Sequence, residues 1–511
     1  MDEIDIWSIQ SLIEAKTGSK GEPYIPDKDL NLFLEFVVQT VPTLPMPREH
    51  KFAVFSVDRG VPDLFTLTGY SQPVVCYHHG YVGKFIKFRN YIMLDPQEPS
   101  IDLLGMGDLF DLLSALYLQS GNSKFALLCL FQSIIQTPSL TTDKESYDAA
   151  IYQLNTAFHH RHSIEEATFT LLYFGLTHEI GHSYGDDALR AGAKVHSQDI
   201  TDKAIRHATI QAARRAFKDR PDRDFVFGEW SDYYQEASKE KGSVLHFDNL
   251  RSEILADNLG FNMLNTALSS IARYKNQRPN FKIIASEVVI SLFVVQLMEA
   301  CKYLTKALPS EDPKRTFKSR AFPIEINDTR LSAHLYAAQL ISDFQVAHAV
   351  RWEFLKPSLT SLALMHLFPD TYAVKGGKLT ITCSASELER RQGIAENNVE
   401  GYLSYYTKEM MKFQSRLEDV VNFVAHMATG KVSEVKNRQA TDKTFVDQIS
   451  NNFQIYLSRL TDHKGVQRKK EIVGQLNEFR KILAQKGKES DTKQIDRIVS
   501  ELESDLRHHK K

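Results

Sequence analysis

No apolar run in this chain is long enough to span a membrane. The most apolar stretch, VVISLFVVQLM from Val288 to Met298, is closed off by Glu287 and Glu299. It covers about half of the ~20 residues a spanning helix needs, which makes it a buried core helix. Cysteine is scarce as well: Cys76, Cys129, Cys301 and Cys383 are far apart and form no CxxC pair. That excludes a disulfide framework or a thiolate zinc ribbon, and it suits buried thiols in a reducing cytoplasm. Nor is there an excess of either charge, since 62 basic and 64 acidic residues leave a formal net charge of −2. General attraction to nucleic acid or to an anionic membrane is therefore not expected. There is no phosphate-binding glycine loop. The first residues, MDEIDIWSIQSLIEAKTG, are acidic and lack the basic start and apolar run of a secretory signal. These absences point to a cytoplasmic protein with no nucleic-acid or membrane partner.

What is present is ordinary for a globular chain, with 42% hydrophobic and 25% charged residues. At 511 residues it is too long for one core. Short β-branched and aromatic runs near the start, FAVFSV, YVGKFIKF and NYIMLD, read as strands. From GMGDLFDLLSALYLQSG the period becomes helical. A hairpin-like TYAVKGGKLTITCS, turning at Gly376 and Gly377, marks a boundary. Three apolar stripes follow: Phe445, Ile449, Phe453, Tyr456 and Leu460; then Leu476, Phe479 and Leu483; then Ile495, Ile498, Leu502 and Leu506. They read as antiparallel helical hairpins. The expected class is α+β, predominantly α-helical. An N-terminal α/β portion occupies 1–105, a helical domain 106–370 and a C-terminal helical domain 371–511.

The segment LLYFGLTHEIGHSYGDD, Leu171 to Asp187, carries the chemistry. His178 and His182 share one face only if the segment is a helix, because residues i and i+4 then lie one turn apart. Upstream, SIEE at Ser163–Glu166 has the form of a capping box. Downstream, Gly185 tolerates the left-handed conformation common past a helix end. HExxH alone is weak, since its residue frequencies produce it by chance in roughly 4% of chains this long.

A third ligand is what separates a metal site from coincidence, because a catalytic zinc takes three protein ligands and leaves a position for water. The pattern HExxHxxGxxH places a third histidine where this chain has Ala188, so the metzincins match poorly. A carboxylate on a second helix is the alternative, and NLRSEILADNLGFNML, Asn249 to Leu264, supplies it. Glu253, Asp257, Gly260 and Leu264 lie on one helical face, beside Ile254, Leu255, Leu259 and Met263. Glu253 can ligate a metal, Asp257 can accept the spare ring N–H of a ligating histidine, and Gly260 permits close helix packing.

HEIGH followed by SEILADNLG resembles the gluzincin zinc metallopeptidases, whose signature is HExxH and, at a distance, ExxxD. The resemblance covers two short helices. It implies a zincin-like helical catalytic core holding one catalytic zinc ion. His178, His182 and Glu253 would be the ligands, Glu179 the catalytic base, and Asp257 the support of a ligating histidine. One departure is the intervening DALRAGAKVHSQDITDKAIRHATIQAARRAF, which reads as additional helix. The activity implied is that of an intracellular endopeptidase acting on a protein or peptide substrate, with Glu179 taking a proton from the attacking water. The C-terminal helices offer a surface for a protein partner or for substrate selection.

Weaker candidates surround this set. Arg320, Arg330, His334, Tyr233 and Tyr234 could steady an oxyanion, but each also fits a surface or core-edge role. His159 to His162 read as a solvated turn, and His78 and His79 alternate along a strand and face opposite ways. The competing reading of the chain is a non-enzymatic helical scaffold that keeps the motif as a structural or vestigial metal site.

Overall fold

The computed structural model of the chain describes residues 6–17, 22–23, 35–37, 53–57, 64–67, 74–78, 99–137, 174–182, 184, 200–216, 223–239, 243–274, 329–375, 378–401, 439–485, 488 and 492–508, with isolated positions at 288, 292, 301–302, 305, 420 and 423. Within them the chain is mostly helical, with a small sheet near its start.

Four short strands form that sheet: β1 (Glu22–Pro23), β2 (Ala53–Val57), β3 (Leu64–Leu67) and β4 (Val74–His78), in the order β1-β2-β4-β3. β2 and β4 run parallel, with Phe55 opposite Cys76, while β3 is antiparallel to β4, with Phe65 opposite Cys76. β2 coincides with the expected FAVFSV strand. YVGKFIKF and NYIMLD lie outside the described residues. Helix α1 (Ile6–Thr17) precedes the sheet.

Helices α2 (Pro99–Gln119) and α3 (Ser123–Gln136) form a hairpin. The turn needs Gly121, whose φ of 84° falls in the left-handed region that favours glycine. The Asn122 side chain then caps α3 by accepting from the Phe125 amide at 3.3 Å. The described part of helix α4 covers 174–182 and carries the HEIGH motif. α5 (Asp202–Ala216) and α6 (Arg223–Ala237) follow, in part within the segment expected to be additional helix. α7 (Phe247–Tyr274) contains the second motif and runs further in both directions than Asn249–Leu264. α8 (Thr329–Leu367) is 39 residues long and continues through Pro357. The hairpin β5 (Tyr372–Lys375) and β6 (Lys378–Ile381) pairs as expected, and a helix over 385–401, α9, comes after it.

At the C-terminus α10 (Gln439–Arg459), α11 (His463–Gln485) and α12 (Lys493–His508) carry the three stripes. Phe453, Leu476, Leu483 and Ile495 are almost completely buried, and Leu457, outside the expected stripe, is buried with them. Their apolar faces join α2 and α3 in one continuous core, where Phe131 and Phe453 stack at 4.2 Å. A second core gathers Ile205, Trp230, Tyr234, Leu250, Ile254 and Val350 from α5 to α8. α7 feeds both, with Ile254 and Leu255 in the second and Leu259, Met263 and Leu264 in the first. Val288 and Leu292 of the most apolar stretch are helical and buried, and Cys76, Cys129 and Cys301 are buried free thiols, while Cys383 is partly exposed. Among the described residues no helix is long and apolar enough to cross a membrane.

Candidate metal centre

The site forms where α4 crosses α7. Small residues set the distance. A methyl group on Gly260 would meet the His178 backbone nitrogen at 2.7 Å, and one on Gly181 would meet the Ala256 carbonyl oxygen at 2.7 Å. Backbone touches backbone on both sides of the crossing, so side chains one turn away are pressed into a common space. The expected role of Gly260 is what the structure has.

His178, Glu179 and His182 lie close together, each offering a ligand atom within 4.8 Å of the others. The two imidazoles meet edge to face, with ring centroids 4.6 Å apart. Glu253 reaches both: Oε2 is 3.6 Å from His178 Nε2 and Oε1 is 3.4 Å from His182 Nε2. The other ring nitrogens face elsewhere. His178 Nδ1 is 2.9 Å from Asp257 Oδ1, and His182 Nδ1 is 3.2 Å from the Ser252 hydroxyl. A carboxylate facing Nδ1 favours the tautomer protonated there, which leaves the Nε2 lone pair free to bind a cation. His178 and His182 thus both face the Glu253 carboxylate, Asp257 faces the far nitrogen of His178, and Glu179 groups with the two histidines.

Two further residues complete the arrangement, and neither belongs to a motif. Thr66 of β3 brings its hydroxyl to 2.9 Å from both the carbonyl oxygen and Oε2 of Glu179. Its one proton is shared between them and restrains the Glu179 side chain. Arg351 of α8 donates through Nε to Asp257 Oδ2 at 2.7 Å and through Nη2 to Oδ1 at 2.8 Å. Its Nη1 lies 3.0 Å from Glu253 Oε2.

Asp257 is fully buried, and burial alone would raise its carboxyl pKa. The Arg351 guanidinium beside it, helped by His178, overcomes this and holds it well below the usual carboxylate range. Burial likewise opposes ionisation of Glu253, but Arg351 and the two histidines lower its pKa against that cost. His348, one turn before Arg351 on α8, is pushed down to about 4 by burial and by the same guanidinium.

Of the candidate oxyanion residues, Tyr234 is buried in the second core and stacks on Trp230 at 5.1 Å. Tyr233 donates its hydroxyl to the Asp343 carboxylate. Both have structural surroundings of their own. Arg320, the His159–His162 group, His79, the SIEE box and Gly185 lie outside the described residues. Arg330 and His334 fall in α8, and His78 in β4, as backbone only. Compared with protein-family models, with curated proteins and with solved structures, the chain matches none.

Proposed function

We propose that the chain is a zinc-dependent endopeptidase with a zincin-like core, in which His178, His182 and Glu253 hold the metal and Glu179 is the general base. The observation that carries this reading is a pair of distances. Glu253 oxygens stand 3.6 and 3.4 Å from the two Nε2 atoms, too long for good hydrogen bonds. Zinc bonds of ~2.0–2.2 Å in a tetrahedron separate neighbouring ligand atoms by about 3.4 Å. Two nitrogens that each face a different oxygen of one carboxylate at that spacing, with the far nitrogen of His178 backed by a buried carboxylate, fit a zinc ion better than they fit one another.

When bound, zinc lowers the pKa of a water toward ~7 and polarises a carbonyl. The protein's own part is proton movement and orientation. Glu179 accepts the proton of the attacking water and returns it to the leaving nitrogen, with Thr66 limiting its rotation. Asp257 keeps the His178 ring turned toward the ligand position. A peptide is favoured over a small amide because Thr66 stands on β3, one of the two edge strands of the described sheet. An edge strand beside the base can pair with an extended backbone. The four free thiols suit a cytosolic setting in the same reading.

The test combines metal content with turnover. Purified wild type is expected to carry about one zinc per chain and to cleave protein substrates in a proteome-wide comparison of termini. Glu179→Gln should keep the zinc and lose ~10²–10⁴-fold in rate, and His178→Ala should lose the metal. A wild type that takes up no zinc, or a Glu179→Gln variant with undiminished cleavage, would overturn the assignment.

A further inference from the structure

Arg351 is a long cation on α8, between Val350 and Trp352, and only 8% of it is exposed. Its guanidinium is a planar fork with donors on two edges. One edge, Nε and Nη2, is used up by the two oxygens of Asp257. That pairing alone would satisfy the buried carboxylate. The remaining Nη1 continues to Glu253 Oε2, whose side chain is 36% exposed. This third contact offsets the part-burial of the carboxylate and also fixes its direction. Glu253 and Asp257 are one turn apart on α7, and like charges at that spacing repel. A guanidinium bonded to both draws them together. It also distinguishes the two oxygens of Glu253: Oε2, 3.6 Å from His178 Nε2, is drawn closer to Arg351 at 3.0 Å, whereas Oε1 faces His182 Nε2 at 3.4 Å.

We propose that Arg351 is the positioning residue of the metal centre, holding Glu253 by Oε2 so that it ligates through Oε1 alone, and holding Asp257 where it can orient His178. This rests on the zinc reading given above and adds a residue that neither motif contains. Ligation by a single oxygen keeps the protein's share of the coordination at two nitrogens and one oxygen and leaves room for water. Arg351, Glu253 and Asp257 all stand on long helices, so the fold itself holds them in place.

The experiment compares wild type with Arg351→Lys, which keeps the charge but cannot hold two carboxylates in a fork. Thermal unfolding without metal, zinc affinity by competition with a chromogenic chelator, and the visible spectrum of the cobalt(II) form are measured. The lysine variant is expected to fold with a midpoint within a few degrees of wild type, to bind zinc ~10–100-fold more weakly, and to show altered cobalt bands. A folded lysine variant with wild-type affinity and an unchanged cobalt spectrum would make Arg351 a structural partner only. Crystal structures of wild type with and without zinc give a second reading that needs no variant. The Arg351–Glu253 contact should persist and Oε1 alone should touch the ion; Glu253 leaving Arg351 to bind through both oxygens would refute the proposal. Failure of wild type to bind zinc at all would instead remove the metal reading beneath it.

Discussion

His348 shows how a single buried residue carries a pH dependence. Its pKa in the fold is about 4, against an ordinary 6.5, because burial and the Arg351 cation both oppose a second positive charge. Between those values the unfolded chain binds a proton that the folded chain refuses. The stability it contributes is therefore complete above about pH 6.5 and is lost as the pH falls toward 4. From pH 7 to pH 5 the loss is on the order of 2 kcal/mol. Urea unfolding at the two values should show that drop in wild type and a correspondingly smaller one in His348→Gln; equal slopes would contradict it. At this scale the sequence was most legible where residue type and spacing speak together. The two histidines, Glu179, Glu253 and Asp257 stand out by their intervals. Arg351 does not, because one arginine among apolar neighbours on a helix looks the same whether it reaches for solvent or turns inward. Thr66 is equally silent, as an unremarkable strand residue.

The helices α4 and α7 depend on having no side chain at two points. Gly260→Ala would drive a methyl into the His178 backbone, with Thr177 and His178 atoms all within 2.9 Å of it. Main chain cannot step aside as a flexible side chain can, so the crossing must open. The expected cost is about 1–3 kcal/mol, together with weaker zinc binding as His178 is displaced. Gly474→Ala in α11 is the control, since nothing lies within 4 Å of its added methyl. It should stabilise the chain by about 0.4–1 kcal/mol through a less flexible unfolded state. Thermal unfolding of the two variants measures the contrast, and similar values for both would show that the crossing is loose. Most elements were legible in their periodicity, including the β5–β6 hairpin and the three C-terminal helices. α8 was not. Pro357 reads as a helix break, and apolar residues on every side of α8 leave no stripe to follow.

Across the whole molecule, the C-terminal helices are tied to the rest by buried polar bonds as well as by apolar surface. Arg468 of α11, 3% exposed, donates through Nη2 to the carbonyls of Ile134 at 3.0 Å and Thr137 at 2.9 Å, at the end of α3. Those carbonyls have no further helical turn to bond to, and a cation suits that end of the helix dipole. Arg468→Met should cost about 2–4 kcal/mol, since it strands two acceptors. A chain ending at residue 438 would lose this bond and uncover Phe131, so it should fail to fold into a compact, soluble form. Circular dichroism and size-exclusion chromatography would check both variants. A shortened chain that remains compact and binds zinc would show that the C-terminal helices are dispensable.

By itself the sequence picked out His178, Glu179, His182, Glu253 and Asp257 and the helices that bear them. Hydrogen bonding within a helix and the alternation of apolar residues act over a few neighbouring positions, so they leave a local imprint. Only the tertiary structure decided that these helices meet at two glycines. It also brought Thr66 to Glu179 across 113 positions and Arg351 to Asp257 across 94. Such encounters follow from how whole faces pack, and nothing in the spacing of either partner encodes the other.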